Sequence, residues 1–128
     1  MNVPRSFSRN LTLAALVFAA STSAWAQQES TVVKGYVLDS SCAFVKNLSK
    51  PIGKGCALKC AKNGSVLVII TDDGTIYWPI SDSTPAVGQN PRLMEFAGKK
   101  VTAKGEVFEK GGSHAIVIKQ IEVASENK

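Results

Sequence analysis

Five short runs rich in β-branched and aromatic residues, bounded by turn residues, set the limits on what this chain can become. They are Thr31 to Asp39 (TVVKGYVLD), Ser65 to Thr71 (SVLVIIT), Thr75 to Ile80 (TIYWPI), Lys100 to Glu109 (KVTAKGEVFE) and Ser113 to Val123 (SHAIVIKQIEV). Such residues fit a pleated, half-buried surface, and runs of this length are strands rather than helices. The Ser65 to Thr71 run is apolar almost throughout, which predicts a strand buried on both faces or nearly so. In Lys100 to Glu109, Val101, Ala103, Gly105 and Val107 alternate with other residues at the period of a strand. Asp72-Asp73-Gly74 and Lys110-Gly111-Gly112 predict two hairpin turns. On the third run Ile76, Trp78 and Ile80 share one face. Pro79 has no N–H for a ladder, so that strand is expected at an edge or to end there. Gly35 marks a place for a bend or bulge in the first run.

The connections complete the plan. Asp39-Ser40-Ser41 ends the first strand. Cys42 to Gly64 has no β alternation and holds all three cysteines, five lysines and no acid. Within it Gly55 to Lys62 (GCALKCAK) predicts about two helical turns, stopped by Asn63-Gly64. Ser81 to Gln89 has a loop composition. Asn90-Pro91 reads as an N-cap with proline at the first helical position, Arg92 to Ala97 as a short helix, and Gly98 as its end. The order predicts a mainly β domain: a small five-stranded Greek-key barrel of the OB type. A cysteine-containing helical loop follows strand 1 and a short helix precedes strand 4. A split β-sandwich or an open roll uses the same strands.

The first 26 residues are set apart. Arg5 and Arg9 form a positive region, Leu11 to Ala20 (LTLAALVFAA) an apolar one, and Ala24-Trp25-Ala26 a small-x-small cleavage signal, the three parts of a secretory signal peptide. The apolar run is about half the roughly 20 residues that a membrane span needs, so no span is expected. No cysteine stands at the junction for a lipid anchor. The expectation is a signal peptide over 1–26 and one OB-like domain over 27–128, with its core at about 31–123, periplasmic or secreted. Gln27 to Ser30 and Ser125 to Lys128 are expected to be polar ends. About 100 residues make one domain and not two, with a core thin enough for a crosslink to matter.

Formal charge is +5 for the whole chain, and about +3 once the two leader arginines are removed. That is too weak a footprint for a nucleic-acid binder, and no nucleic-acid partner is expected. Tyr36, Tyr77 and Trp78 suit packing against the barrel wall better than a stacking platform.

A set of spaced residues resembles a known group. Gly35-x-Val37-x-Asp39-x-x-Cys42, then Cys56-x-x-x-Cys60 and Gly64, a hairpin ending in Tyr77, and Ala97-Gly98-x-x-Val101-x-x-x-Gly105 are similar to small exported bacterial domains of unknown function. The similarity runs over about residues 32 to 123. It implies export and an OB-like fold, and no activity. Members often have a histidine soon after the first cysteine; here Ala43-Phe44-Val45 follows Cys42, so the resemblance does not carry a metal site over to this chain.

The cysteines hold the chemistry. In an oxidising compartment cysteines of a small domain pair, and three leave one over. Cys56 and Cys60, one helical turn apart, point along one face, so Cys42 is the expected disulfide partner of Cys56 or of Cys60. Such a bridge closes a loop of about 15 to 19 residues, worth about 3 kcal/mol in the chain-entropy model. On that reading no cofactor is needed, and the chain is a disulfide-stabilised binding or structural module of the cell envelope, its partner unidentified. The alternative is a thiolate site for copper or zinc on Cys42, Cys56 and Cys60, completed by His114 or Asp39. A thiol-redox role is a further use of the same residues, although Cys-x-x-x-Cys is looser than the thioredoxin-type motif. Lys46, Lys50, Lys54, Lys59 and Lys62 are expected to favour thiolate. Of these, Lys46, Lys54 and Lys59 are candidate contacts for an acidic ligand, against a solvated loop as the plain explanation. Asp72-Asp73-Gly74 lacks the further acids of a calcium loop. No catalytic constellation stands out: His114 is the only histidine, no nucleophile can be placed beside it, and no enzyme activity is assigned.

Overall fold

The computed structural model describes residues 30–125; the leader, the start of the Gln27 to Ser30 segment and the last three residues lie outside the described residues. The elements run β1 (Thr31–Asp39), α1 (Ser40–Val45), α2 (Lys54–Lys62), β2 (Leu67–Ile70), β3 (Ile76–Pro79), α3 (Asn90–Leu93) continued by a 3-10 turn (Met94–Phe96), β4 (Lys100–Lys110) and β5 (Ser113–Val123). The five strands close into a barrel in the order β1-β2-β3-β5-β4. All neighbours are antiparallel except β3 and β5, whose parallel pairing closes the ring. This is the expected five-stranded Greek-key barrel of the OB type, with helices after strand 1 and before strand 4.

Closure depends on strands that change partner part-way. The first half of β1 pairs with β4, from Thr31 opposite Gly105 to Tyr36 opposite Lys100, and its second half pairs with β2, from Tyr36 opposite Ile70 to Asp39 opposite Leu67. Gly35 sits at the handover, where a Cβ would collide with the carbonyl oxygen of Ile70. Gly105 does the same for β4: the β4–β5 register slips between Lys104 and Gly105, and a Cβ on Gly105 would meet the carbonyl oxygen of Val117. Bare backbone is needed at both corners because strands bend sharply only where another main chain can approach closely.

Alternation decides which side chains fill the barrel. Val33 and Val37 of β1, Leu67 and Ile69 of β2, Val101 and Ala103 of β4, and Ile116 and Ile118 of β5 are buried together with Leu93 and Ala97. Ala57 and Ala61 of α2 join this core, so α2 plugs the barrel with its two small residues. A smaller cluster lies on the other face: Leu38, Val68 and Ile70 with Ala43 of α1, flanked by Tyr36, Leu48, Ile76 and Trp78. The two helices thus cover different faces of one wall. Each fully buried Leu or Ile contributes about 1.5–3 kcal/mol relative to exposure.

Three local expectations change. Helix α1, capped by Asp39, stands where the sequence suggested only a strand end. Asn90 does not cap α3, whose N-cap position is Gln89. Its side chain instead accepts from Leu67 N–H at 2.9 Å and donates to Ser65 O at 2.6 Å, tying α3 to the start of β2. Ile80 falls outside β3 and is exposed, so only Ile76 and Trp78 join the outer cluster; β3 itself ends at Pro79 as expected. Among the described residues no helix is long and apolar enough to cross a membrane.

Candidate metal centre

The site begins with the N-cap of α1. Asp39 is the last residue of β1 and, by alternation, lies on the barrel side of the strand with Val33 and Val37. It is 1% exposed, the one charged residue in the buried set among the described residues. Its Oδ1 accepts from Cys42 N–H at 2.8 Å, which satisfies a donor that the first turn of a helix leaves without a partner. A carboxylate at this end is also favoured by the helix dipole, although six residues give only a modest one. The cap fixes how α1 leaves the strand, and with it the position of Cys42.

Helix α2 supplies the other two sulfurs. Ala57 and Ala61 face the core, so Cys56 and Cys60, each one residue earlier, lie together along the adjoining stripe of the helix. Cys42 is buried, while Cys56 and Cys60 are half-buried. All three Sγ atoms lie within 4.8 Å of one another. Beside them a small space of ≈ 10 Å³ is walled by Leu38, Leu48, Pro51, Ile52 and Ala57 as well as by Asp39, Cys42 and Cys56. That holds about one water-sized guest and no organic molecule.

The expected bridge from Cys42 to Cys56 or Cys60 is not formed. All three cysteines are free, and the sulfurs share one centre instead of two of them closing to the ≈ 2.03–2.05 Å of a disulfide. The expected effect of the lysines is also overturned. Burial pushes the Cys42 thiol up from its ordinary 9.0, helped by the Asp39 charge and by Cys56, while Lys46 pulls only weakly the other way. Burial raises the Cys60 thiol to about 11, again with Asp39, through charge and hydrogen bonding, and with the other two sulfurs. Removing water and adding a buried anion disfavours thiolate more than lysines in solvent can favour it.

The remaining candidates lie elsewhere. His114 is not part of the sulfur group. It stands on β5 opposite Tyr77 and Glu109, its ring 5.4 Å from that of Tyr77 and its Nδ1 3.2 Å from Glu109 Oε1. That pair is ionic only when the imidazole is protonated, and the approach is too poorly aligned to make Nδ1 a hydrogen-bonding atom. Lys46 is the exposed C-cap of α1 and Lys59 is an exposed residue of the last turn of α2, where cations suit the negative end of a helix; Lys54 opens α2. Sequence reasoning missed the cap that brings Asp39 to the sulfurs, though Asp-Ser-Ser-Cys is itself an N-cap signal. It also missed Phe44, which is exposed on α1 and stacks on Trp78 with ring centres 6.1 Å apart.

Together these observations define a class: a small OB-type barrel carrying a preassembled group of three thiols on the helical connection after its first strand. Compared with known proteins, the chain matches no family model, no curated protein and no solved structure.

Proposed function

We propose that this chain is an exported binding module, periplasmic or secreted, that holds one soft metal ion, copper or zinc, through the thiolates of Cys42, Cys56 and Cys60. The observation that carries this reading is the convergence of three sulfurs from two helices within 4.8 Å. Thiolates bind soft and borderline cations, and one centre surrounded by sulfur is what such an ion requires. Burial and the Asp39 charge disfavour thiolate in the metal-free protein, so a bound cation displaces the thiol protons as it binds and its own charge then stabilises the thiolates. The barrel contributes rigidity: Asp39 belongs to β1, and Ala57 and Ala61 anchor α2 in the core, so the ligands are placed before the ion arrives.

The test is anaerobic equilibrium dialysis of the reduced protein against Cu(I) or Zn(II). One ion per chain is expected, lost when any one of Cys42, Cys56 or Cys60 is changed to Ser while far-UV circular dichroism is unchanged. Binding that survives all three single changes contradicts the reading.

A second reading is favoured by the same closeness of the sulfurs. In an oxidising space one pair closes, Cys42 with Cys56 or Cys60, and the chain works as a disulfide-stabilised envelope module through its surface loops. Peptide mapping under non-reducing conditions gives one linked pair and one free cysteine if this is the working form, and three unlinked peptides if it is not.

A further inference from the structure

We infer that the ion is copper(I), held three-coordinate by the Sγ atoms of Cys42, Cys56 and Cys60, with Asp39 outside the shell as the residue that positions Cys42. This rests on the metal-binding reading above and deepens it. The donor count comes first. Among the described residues, the ligand atoms that lie within mutual reach are three sulfurs and no oxygen or imidazole nitrogen. Asp39 adjoins them without entering that group, its Oδ1 accepting from the Cys42 amide at 2.8 Å, and His114 stands on β5 opposite Tyr77 and Glu109.

Zinc in proteins takes four ligands, and a site with three protein ligands keeps a water or substrate in the fourth place. A bound water needs two to four polar partners. The space beside these sulfurs is ≈ 10 Å³ and its walls are Leu38, Leu48, Pro51, Ile52 and Ala57, with Asp39 the single charged group. An all-sulfur donor set with apolar side chains beside it matches a soft monovalent ion, for which thiolate is a preferred ligand.

The experiment titrates reduced, anaerobic protein with Cu(I) buffered by bathocuproine disulfonate in the presence of equimolar Zn(II). The loaded protein is then read at the copper absorption edge, and the titration is repeated on Asp39→Asn. Expected are one copper per chain with zinc excluded, three sulfur scatterers with no oxygen or nitrogen in the shell, and less than a tenfold change in copper affinity for Asp39→Asn. Far-UV circular dichroism of that variant confirms that the fold persists. Zinc retained against copper, a fourth oxygen ligand, or a tenfold or greater loss in Asp39→Asn overturns the inference and leaves the metal-binding reading standing. Failure to bind either ion overturns both.

Discussion

Replacing Asp39 separates its structural role from its charge. In Asp39→Ala the Cys42 amide loses its only side-chain acceptor at a buried position. Loss of an N-cap costs about 0.5–2 kcal/mol, and a buried amide without a partner about 1–3 kcal/mol. These describe one interaction and are not added, so the expected loss is about 2 kcal/mol. Asparagine keeps an oxygen in place and removes the charge; Asp39→Asn is expected to cost under about 1 kcal/mol by the same reasoning. The assay is urea denaturation of reduced, metal-free protein. With a slope of about 2 kcal/mol per molar urea for a domain of this size, the Ala variant unfolds at about 1 M less denaturant, and the Asn variant within about half that shift. An Ala variant as stable as the parent, or an Asn variant as damaged as the Ala variant, refutes the assignment of Asp39 as the cap.

Further outcomes follow from other corners of the fold. Gly105→Ala and Gly35→Ala force a Cβ against the Val117 and Ile70 carbonyls and are expected to cost at least about 1–3 kcal/mol each, whereas Gly55→Ala, in open space on α2, is expected to be neutral or stabilising by up to about 1 kcal/mol; thermal denaturation ranks the three. Asn90→Ala strips the Leu67 amide of its acceptor and is expected to cost about 1–3 kcal/mol in the same assay. In metal-free protein the Cys60 thiol, raised from 9.0 to about 11, is mostly protonated at pH 8. Its thiolate fraction falls about 100-fold against an ordinary cysteine, partly offset by the greater nucleophilicity of a more basic thiolate, so alkylation is roughly tenfold slower. The rate at Cys60 is expected to climb as pH rises toward 11, and Asp39→Asn to move the profile downward; a profile centred near 9 in the parent contradicts the burial argument.

The strands were legible because their signals are local. Alternation in Lys100 to Glu109, the continuous run Ser65 to Thr71 and the glycine turns at Gly74 and Gly111-Gly112 depend on nearest neighbours, and the sheet uses them, with the second run shortened to Leu67–Ile70. The barrel follows from their order, but the parallel contact of β3 with β5 and the slip at Gly105 are long-range facts that a linear pattern does not carry. The site was half legible. A four-residue spacing puts Cys56 and Cys60 on one stripe of a helix, whereas Cys42 joins them only because α1 follows β1 directly. Asp39-Ser40-Ser41 concealed that helix, since the same residues end strands and begin helices. Thiol acidity was misjudged for a related reason: the lysines are near in sequence, while the desolvation and the Asp39 charge that prevail come from packing. His114 lies in the strand that the sequence predicts, but its place opposite Tyr77 and outside the sulfur group is a long-range fact.

The most direct test of the three-sulfur centre is a combined metal and thiol count on protein isolated without added reductant from the cells that make it, alkylated under denaturing conditions and weighed by mass spectrometry beside its metal content. One metal ion per chain with Cys42, Cys56 and Cys60 all alkylated is the expected result. A metal-free chain in which two of the three resist alkylation until reduced would contradict it.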